Sequence, residues 1–250
     1  MRFESRRDRW LKAGRGSAMG GGISLDTDPY YANVISLAHF DGADGNTGPF
    51  SDQIETRAPG WTRVAVGAEI DTAQSVFGGA SLLCNDIGVY NPDHADWAFG
   101  SGDFTIEMRV RFPNVTDTQT IIGKVGSANA YSPFFLYLTG GNLTYLGSTS
   151  GTGWEITGLQ IGVSADTWYA VAITRSTDNY TLYLDGVRQA NTSVSGALLV
   201  TDGDVIVGAH RNADPALGLP GWVDELRVTK GVARYTGESY VVAPTAFPNS

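Results

Sequence analysis

Between Asp166 and Gln189 the chain reads DTWYAVAITRSTDNYTLYLDGVRQ, and this stretch constrains the fold more than any other. Tyr169, Val171 and Ile173 alternate with Ala170, Ala172 and Thr174, and Tyr180, Leu182 and Leu184 alternate with Thr181, Tyr183 and Asp185. A period of two marks a strand, because successive side chains leave opposite faces of the pleat. Asp185-Gly186 separates the second run from a third, and a type I′ turn there needs positive φ at both residues. The stretch therefore predicts strand, polar turn, strand, tight turn and the start of another strand.

The same period recurs. In DFTIEMRVRF, Phe104, Ile106, Met108, Val110 and Phe112 form one face and Thr105, Glu107, Arg109 and Arg111 the other. One face in the core and one in solvent is the expectation for such a strand. VISLAHF, WTRVAVGAEIDT, FGGASLLC, IGVY, TQTIIGKV, PFFLYLT, NLTYLGS, WEITGLQIGV, DVIVGAH and WVDELRVTKG read as further strands between Gly, Ser and Asn turns. No long stretch has helical periodicity and no repeat of fixed period is present. The prediction is all-β: a two-sheet antiparallel jelly-roll sandwich of roughly a dozen short strands rather than a seven-strand immunoglobulin sandwich. A chain of 250 residues buries roughly 70–75% of its unfolded surface and needs no disulfide or metal to hold a core. Its only cysteine, Cys84, ends the apolar run SLLC and reads as a small buried hydrophobe.

The net charge of −9 is unevenly spread. Residues 1–15 carry six basic against two acidic side chains, which leaves −13 on the other 235. An acidic body argues against nucleic-acid binding. No apolar run reaches the ~20 residues that cross a bilayer, and no apolar segment follows the N-terminal basic residues as a secretory signal requires. The sequence divides into a basic arm and Gly-rich hinge at 1–33, a globular domain at 34–236 and a C-terminal tail at 237–250. In the arm, Phe3, Arg6, Arg7, Arg9, Trp10 and Lys12 form an aromatic and basic set suited to docking on a partner.

Four blocks occur in the order of one family: LAHFDGADG, then FGGASLL with GSGDFTIEMRVRF, then the DTWYAVAITRSTDNYTLYLDGVRQ stretch, then VIVGAH with GWVDELRVTKGVARYT. From about Val34 to Thr236 the chain resembles laminin-G-like domains of the concanavalin A-like lectin/glucanase superfamily. Its closing KGVARYTG is most like versions found in structural proteins of tailed bacteriophages. The resemblance implies a non-enzymatic virion protein (capsid decoration, tail or fibre-associated), made in the host cytoplasm, homo-oligomeric and docked to other virion proteins by its arm. It also implies a structural Ca²⁺ on Asp41 of the opening FDG, with Asp52 and Asp224 as further ligands.

The alternative is a carbohydrate-binding module for host or environmental glycans. Lectin-type sites need an aromatic platform for the apolar face of a sugar and polar groups for its hydroxyls. Trp97 with His94 and Asp96, Tyr131, Trp154, and the loop residues Arg211, Asn212 and Asp214 offer these. Glucanases of this fold carry Glu-x-Asp-x-x-Glu on one strand. Glu69-Ile70-Asp71-Thr72-Ala73-Gln74 comes near, but glutamine at the last position cannot donate and regain a proton, so no enzyme is predicted. His39, His94 and His210 have no ligand spacing and read as hydrogen-bonded structural residues.

Overall fold

The computed structural model describes residues 27–54, 60–124, 126, 131–210 and 215–250. Within them lie fifteen strands: β1 (Val34–Ala38), β2 (Thr62–Arg63), β3 (Glu69–Asp71), β4 (Ser81–Leu83), β5 (Val89–Asn91), β6 (Phe104–Arg111), β7 (Gln119–Lys124), β8 (Phe135–Thr139), β9 (Asn142–Gly147), β10 (Ile156–Gly162), β11 (Trp168–Ser176), β12 (Asn179–Leu184), β13 (Val187–Ser193), β14 (Val205–Val207) and β15 (Trp222–Lys230). They build two antiparallel sheets, the jelly-roll sandwich the sequence predicts. One runs β13-β12-β11-β6-β15-β4-β3, with β1 paired to β15; the other runs β10-β9-β8-β7-β14-β5-β2. Among the described residues no helix is long and apolar enough to cross a membrane.

The central hairpin forms as read. β11 pairs with β12 from Val171↔Leu184 to Ser176↔Asn179. Asp185 and Gly186 take φ of 50° and 78°, the positive pair a type I′ turn requires. Val171, Ile173, Tyr180 and Leu182 join Phe104, Ile106, Met108, Val110 and Phe112 in the core. Leu136, Leu138, Leu143, Tyr145 and Leu159 fill it from the second sheet. Cys84 lies buried in the same core, and burial pushes its thiol pKa far up, so it is inert packing.

The outer face of the first sheet departs from expectation. Thr105 is 0% exposed and Glu107 3%, although alternation places both in solvent. The chain after β15 returns over them. Arg234 N–H donates to Thr105 Oγ1, Thr105 Oγ1 donates to the Val232 carbonyl, and Arg109 donates to the Ala243 carbonyl. Tyr235 and Tyr240 stack at 3.6 Å, both edge-on to Tyr183 of β12. A strand's pattern shows which side chains share a face, not what chain covers that face.

Asp28 is 7% exposed, so the packed chain begins ahead of the Val34 boundary read from composition. Its carboxylate accepts from Arg227 of β15 and from Arg234 in the segment after it, and its N–H donates to the carbonyl of Ser250. The entry and exit of the domain thus meet on the same sheet face.

Candidate functional site

The second sheet presents a different surface. On β8, Leu136 and Leu138 point into the core while Phe135 and Tyr137 point outward and are partly exposed. Phe135 lies over Gly123 of β7, where a Cβ would stand 2.6 Å from its ring. Two loops at one end of this sheet add Tyr131, ahead of β8, and Trp154, ahead of β10. Tyr131 meets Trp154 edge-on at 5.3 Å; Trp154 lies 6.3 Å from Phe135, and Phe135 5.5 Å from Tyr137, with interplanar angles of 25° and 27° for these two pairs. The four rings make one aromatic strip. A contiguous apolar patch with a polar border is the usual mark of a binding surface.

The loop bearing Trp154 is fastened by its neighbour. The Glu155 carboxylate accepts hydrogen bonds from Ser148 Oγ, Thr149 N–H and Oγ1, and Ser150 N–H and Oγ. The Ser150 hydroxyl and then the Thr149 N–H are the main reasons its pKa falls to about 2. Glu155 therefore stays ionised and holds the turn that positions the indole.

Tyr131 and Trp154, separate candidates in the sequence, lie side by side in the fold. Phe135 and Tyr137 were missed, although PFFLYLT shows an aromatic residue at alternate positions, a signal for one outward face. Trp97 requires correction. It is 1% exposed, packs edge-on against Trp61 in the core and donates Nε1–H to Asn91 Oδ1. It offers no face to a ligand. His94 caps the short 3-10 turn Ala95–Trp97 by accepting from Asp96 N–H, so His94 and Asp96 shape a loop over a buried indole. Arg211, Asn212 and Asp214 lie outside the described residues, as do Phe3, Arg6, Arg7, Arg9, Trp10 and Lys12.

The three predicted calcium ligands separate. Asp52 is 1% exposed, and four protein donors take its oxygens: Ser36 Oγ, Leu37 N–H, Ile54 N–H and Trp61 Nε1–H. It is a saturated structural carboxylate and cannot also bind a metal. Asp41 and Asp224 both reach the turn at 76–78. Asp224 Oδ2 accepts from Val76 and Phe77 N–H, while a Cβ on Gly78 would fall 1.6 Å from Asp41 Oδ1. Asp224 is fully buried and its Oδ1 has no hydrogen-bond partner. Burial above all, with the nearby Glu225 and Asp41 charges, pushes its pKa up to about 7. That orphaned oxygen fits a cation, and Asp41 and Asp224 are the side chains that would hold it. Among the described residues no group of three His, Cys, Asp or Glu converges on one point.

The position of this pair follows from the sheet. β15 pairs with β4 through Trp222 and Val223, then with β1 from Leu226 onward. The switch falls at a bulge where Glu225 takes φ of 52°. There Glu225 bonds His39 Nδ1 at 2.7 Å and accepts from Phe247 N–H, and His39 Nε2 meets Asn249 Oδ1. The Glu225 partnership raises the His39 pKa to about 9, against its burial. His39 is thus a buried, partnered residue.

Of the glucanase-like positions, Asp71 has a structural role. Asp71 accepts from Trp222 Nε1–H and from Ala73 N–H on the edge strand β3.

The arrangement defines a class: a lectin-type double-sheet jelly roll with one outer face covered by its own chain ends and an aromatic strip on the other sheet. Residues 85–234 match the family model of the concanavalin A-like lectin/glucanases superfamily, and the chain belongs to that superfamily. Among solved structures it is similar to the binding domain of Paraclostridial Mosquitocidal Protein 1 (14% identity, TM-score 0.60, covering 81% of this chain and 50% of that one). It is similar to the botulinum neurotoxin serotype G binding domain (13%, 0.59, covering 80% and 48%). It is also similar to domain 4 of a GH43 extracellular arabinanase from Geobacillus stearothermophilus, solved in complex with arabinotriose (16%, 0.60, covering 80% and 94%). The chain spans about half the length of the toxin structures it matches. Likeness at these identities establishes the shared fold. Among curated proteins none matches by sequence.

Proposed function

We propose that this is a non-catalytic carbohydrate-recognition domain that binds glycans on the strip of Tyr131, Trp154, Phe135 and Tyr137. The observation that carries the reading is the strip itself: Phe135 and Tyr137 partly exposed on β8, continued by Trp154 and Tyr131 from two loops, one of them fastened by Glu155. Aromatic faces pack against the C–H surface of a sugar while neighbouring polar groups take its hydroxyls. The similar arabinanase domain holds an oligosaccharide, which supports the reading by analogy of fold. On a glycan array the protein binds at least one glycan, and Trp154→Ala weakens that binding roughly tenfold or more with an unchanged melting temperature. Equal binding by wild type and Trp154→Ala sinks the assignment.

A second reading concerns where the domain works. The KGVARYTG block that resembles phage proteins has structural duties here, since Arg234 holds Asp28 and Tyr235 holds Glu107. What favours a particle-borne role is direction. The chain enters at Asp28 on the covered face of the first sheet, and the strip lies on the second sheet. A domain anchored through residues 1–22 to a virion would present the strip outward. Deleting residues 1–22 leaves a folded domain that no longer joins its assembly; unimpaired assembly removes this reading.

A further inference from the structure

We propose that the strip takes a neutral, extended glycan chain lying along its length, a specificity that rests on the carbohydrate-binding reading of the same surface. The first support is shape. Trp154, Phe135 and Tyr137 are joined pairwise at centroid distances of 6.3 and 5.5 Å, so the apolar surface continues over more than the footprint of one sugar unit. Apolar surface that continues over successive units rewards a chain more than a single sugar.

The second support is charge. From Val125 to Ala165 the only acidic or basic residue is Glu155, and no Lys or Arg stands on β8, β9 or β10. Glu155 is itself enclosed by donors from Ser148, Thr149 and Ser150. A sialylated or sulfated glycan would give up hydration here and meet no cation, on a protein of net charge −9.

The third support is the polar border. Thr144 of β9 stands opposite Tyr137 but is buried; Gln160 of β10, opposite Thr144 in register, is exposed. The Gln160 amide is the uncharged polar group this row offers beside the ring. Uncharged donors and acceptors of that kind suit sugar hydroxyls.

The test is calorimetric titration of the full chain with neutral gluco-, manno-, xylo- and arabino-oligosaccharides of one to six units, and with sialyllactose and heparin oligosaccharides. In at least one neutral series, affinity rises tenfold or more from monosaccharide to trisaccharide and then levels off. Tyr137→Ala flattens that rise while its melting temperature stays that of wild type. A monosaccharide bound as tightly as its trisaccharide, or binding confined to the acidic glycans, overturns the neutral-chain inference and leaves carbohydrate recognition standing. If no glycan of either kind binds, both readings fall.

Discussion

Glu107→Ala lowers the unfolding free energy by about 3–5 kcal/mol, the loss characteristic of breaking a buried ion pair from one side. Glu107 sits on the covered face of β6, where Oε1 accepts from Arg227 Nε at 2.9 Å and Oε2 from the Tyr235 hydroxyl at 2.7 Å. Arg234 Nε lies 3.7 Å away. Both guanidinium groups are almost fully buried, and the other carboxylate they share is Asp28. Removing Glu107 leaves two buried cations on one anion. The Tyr235 hydroxyl loses its acceptor as well, the carboxylate that, with burial, now holds its pKa far up. Because the network ties Asp28 and the segment after β15 to the sheet, the variant also becomes sensitive to proteolysis near both chain ends. Urea denaturation measures the loss; a change under about 1 kcal/mol would show that the network is dispensable.

In EDTA the protein loses stability as pH rises from about 5 to 9, and excess calcium reverses the Asp224 part of that loss. Asp224 has a folded pKa of about 7 against an ordinary 3.8, so between those values the native state keeps a proton the unfolded chain has released. Stability therefore falls with rising pH until about 7 and is level beyond. His39, raised to about 9 from 6.5, holds its proton in the same sense. Its contribution is complete below about 6.5 and is lost as pH passes about 9. Each shift at full extent is worth on the order of 3 kcal/mol. A cation held by Asp41 and Asp224 would take the proton's place, and binding to the native state alone would add stability by mass action. Urea midpoints at pH 5, 7 and 9, with EDTA and with calcium, give both slopes. Asp224→Asn removes the Asp224 share of the pH dependence below pH 7 and the calcium effect together, leaving the smaller share of Asp41, Asp52 and Asp86, whose pKa values burial also raises. Identical midpoints with calcium and EDTA at pH 9 would exclude the metal.

The two tryptophans predicted for one role show how far local pattern reaches. Trp97 and Trp154 are alike in sequence: each lies in a polar loop beside a carboxylate. Trp97 turns inward against Trp61 and Trp154 outward beside Phe135, because chain distant in sequence supplies a core pocket for one and an open sheet face for the other. The aspartates divide in the same way. Asp52 is saturated by donors from β1, the residues just after it and Trp61. Asp224 keeps a free oxygen because β15 changes partner beside it.

Local sequence is enough for the all-β class, the β11–β12 pair with the Asp185-Gly186 turn into β13, and the inward face of β6. These follow from φ preferences and a two-residue period, which act between near neighbours. Which outward faces stay open is settled by packing between distant parts of the chain. The returning chain ends cover the first sheet, and Tyr131, Phe135, Tyr137 and Trp154 are assembled on the second from one strand and two loops. Both outcomes depend on contacts between residues far apart along the chain; the alternating aromatics of PFFLYLT mark one outward face but not whether it stays uncovered.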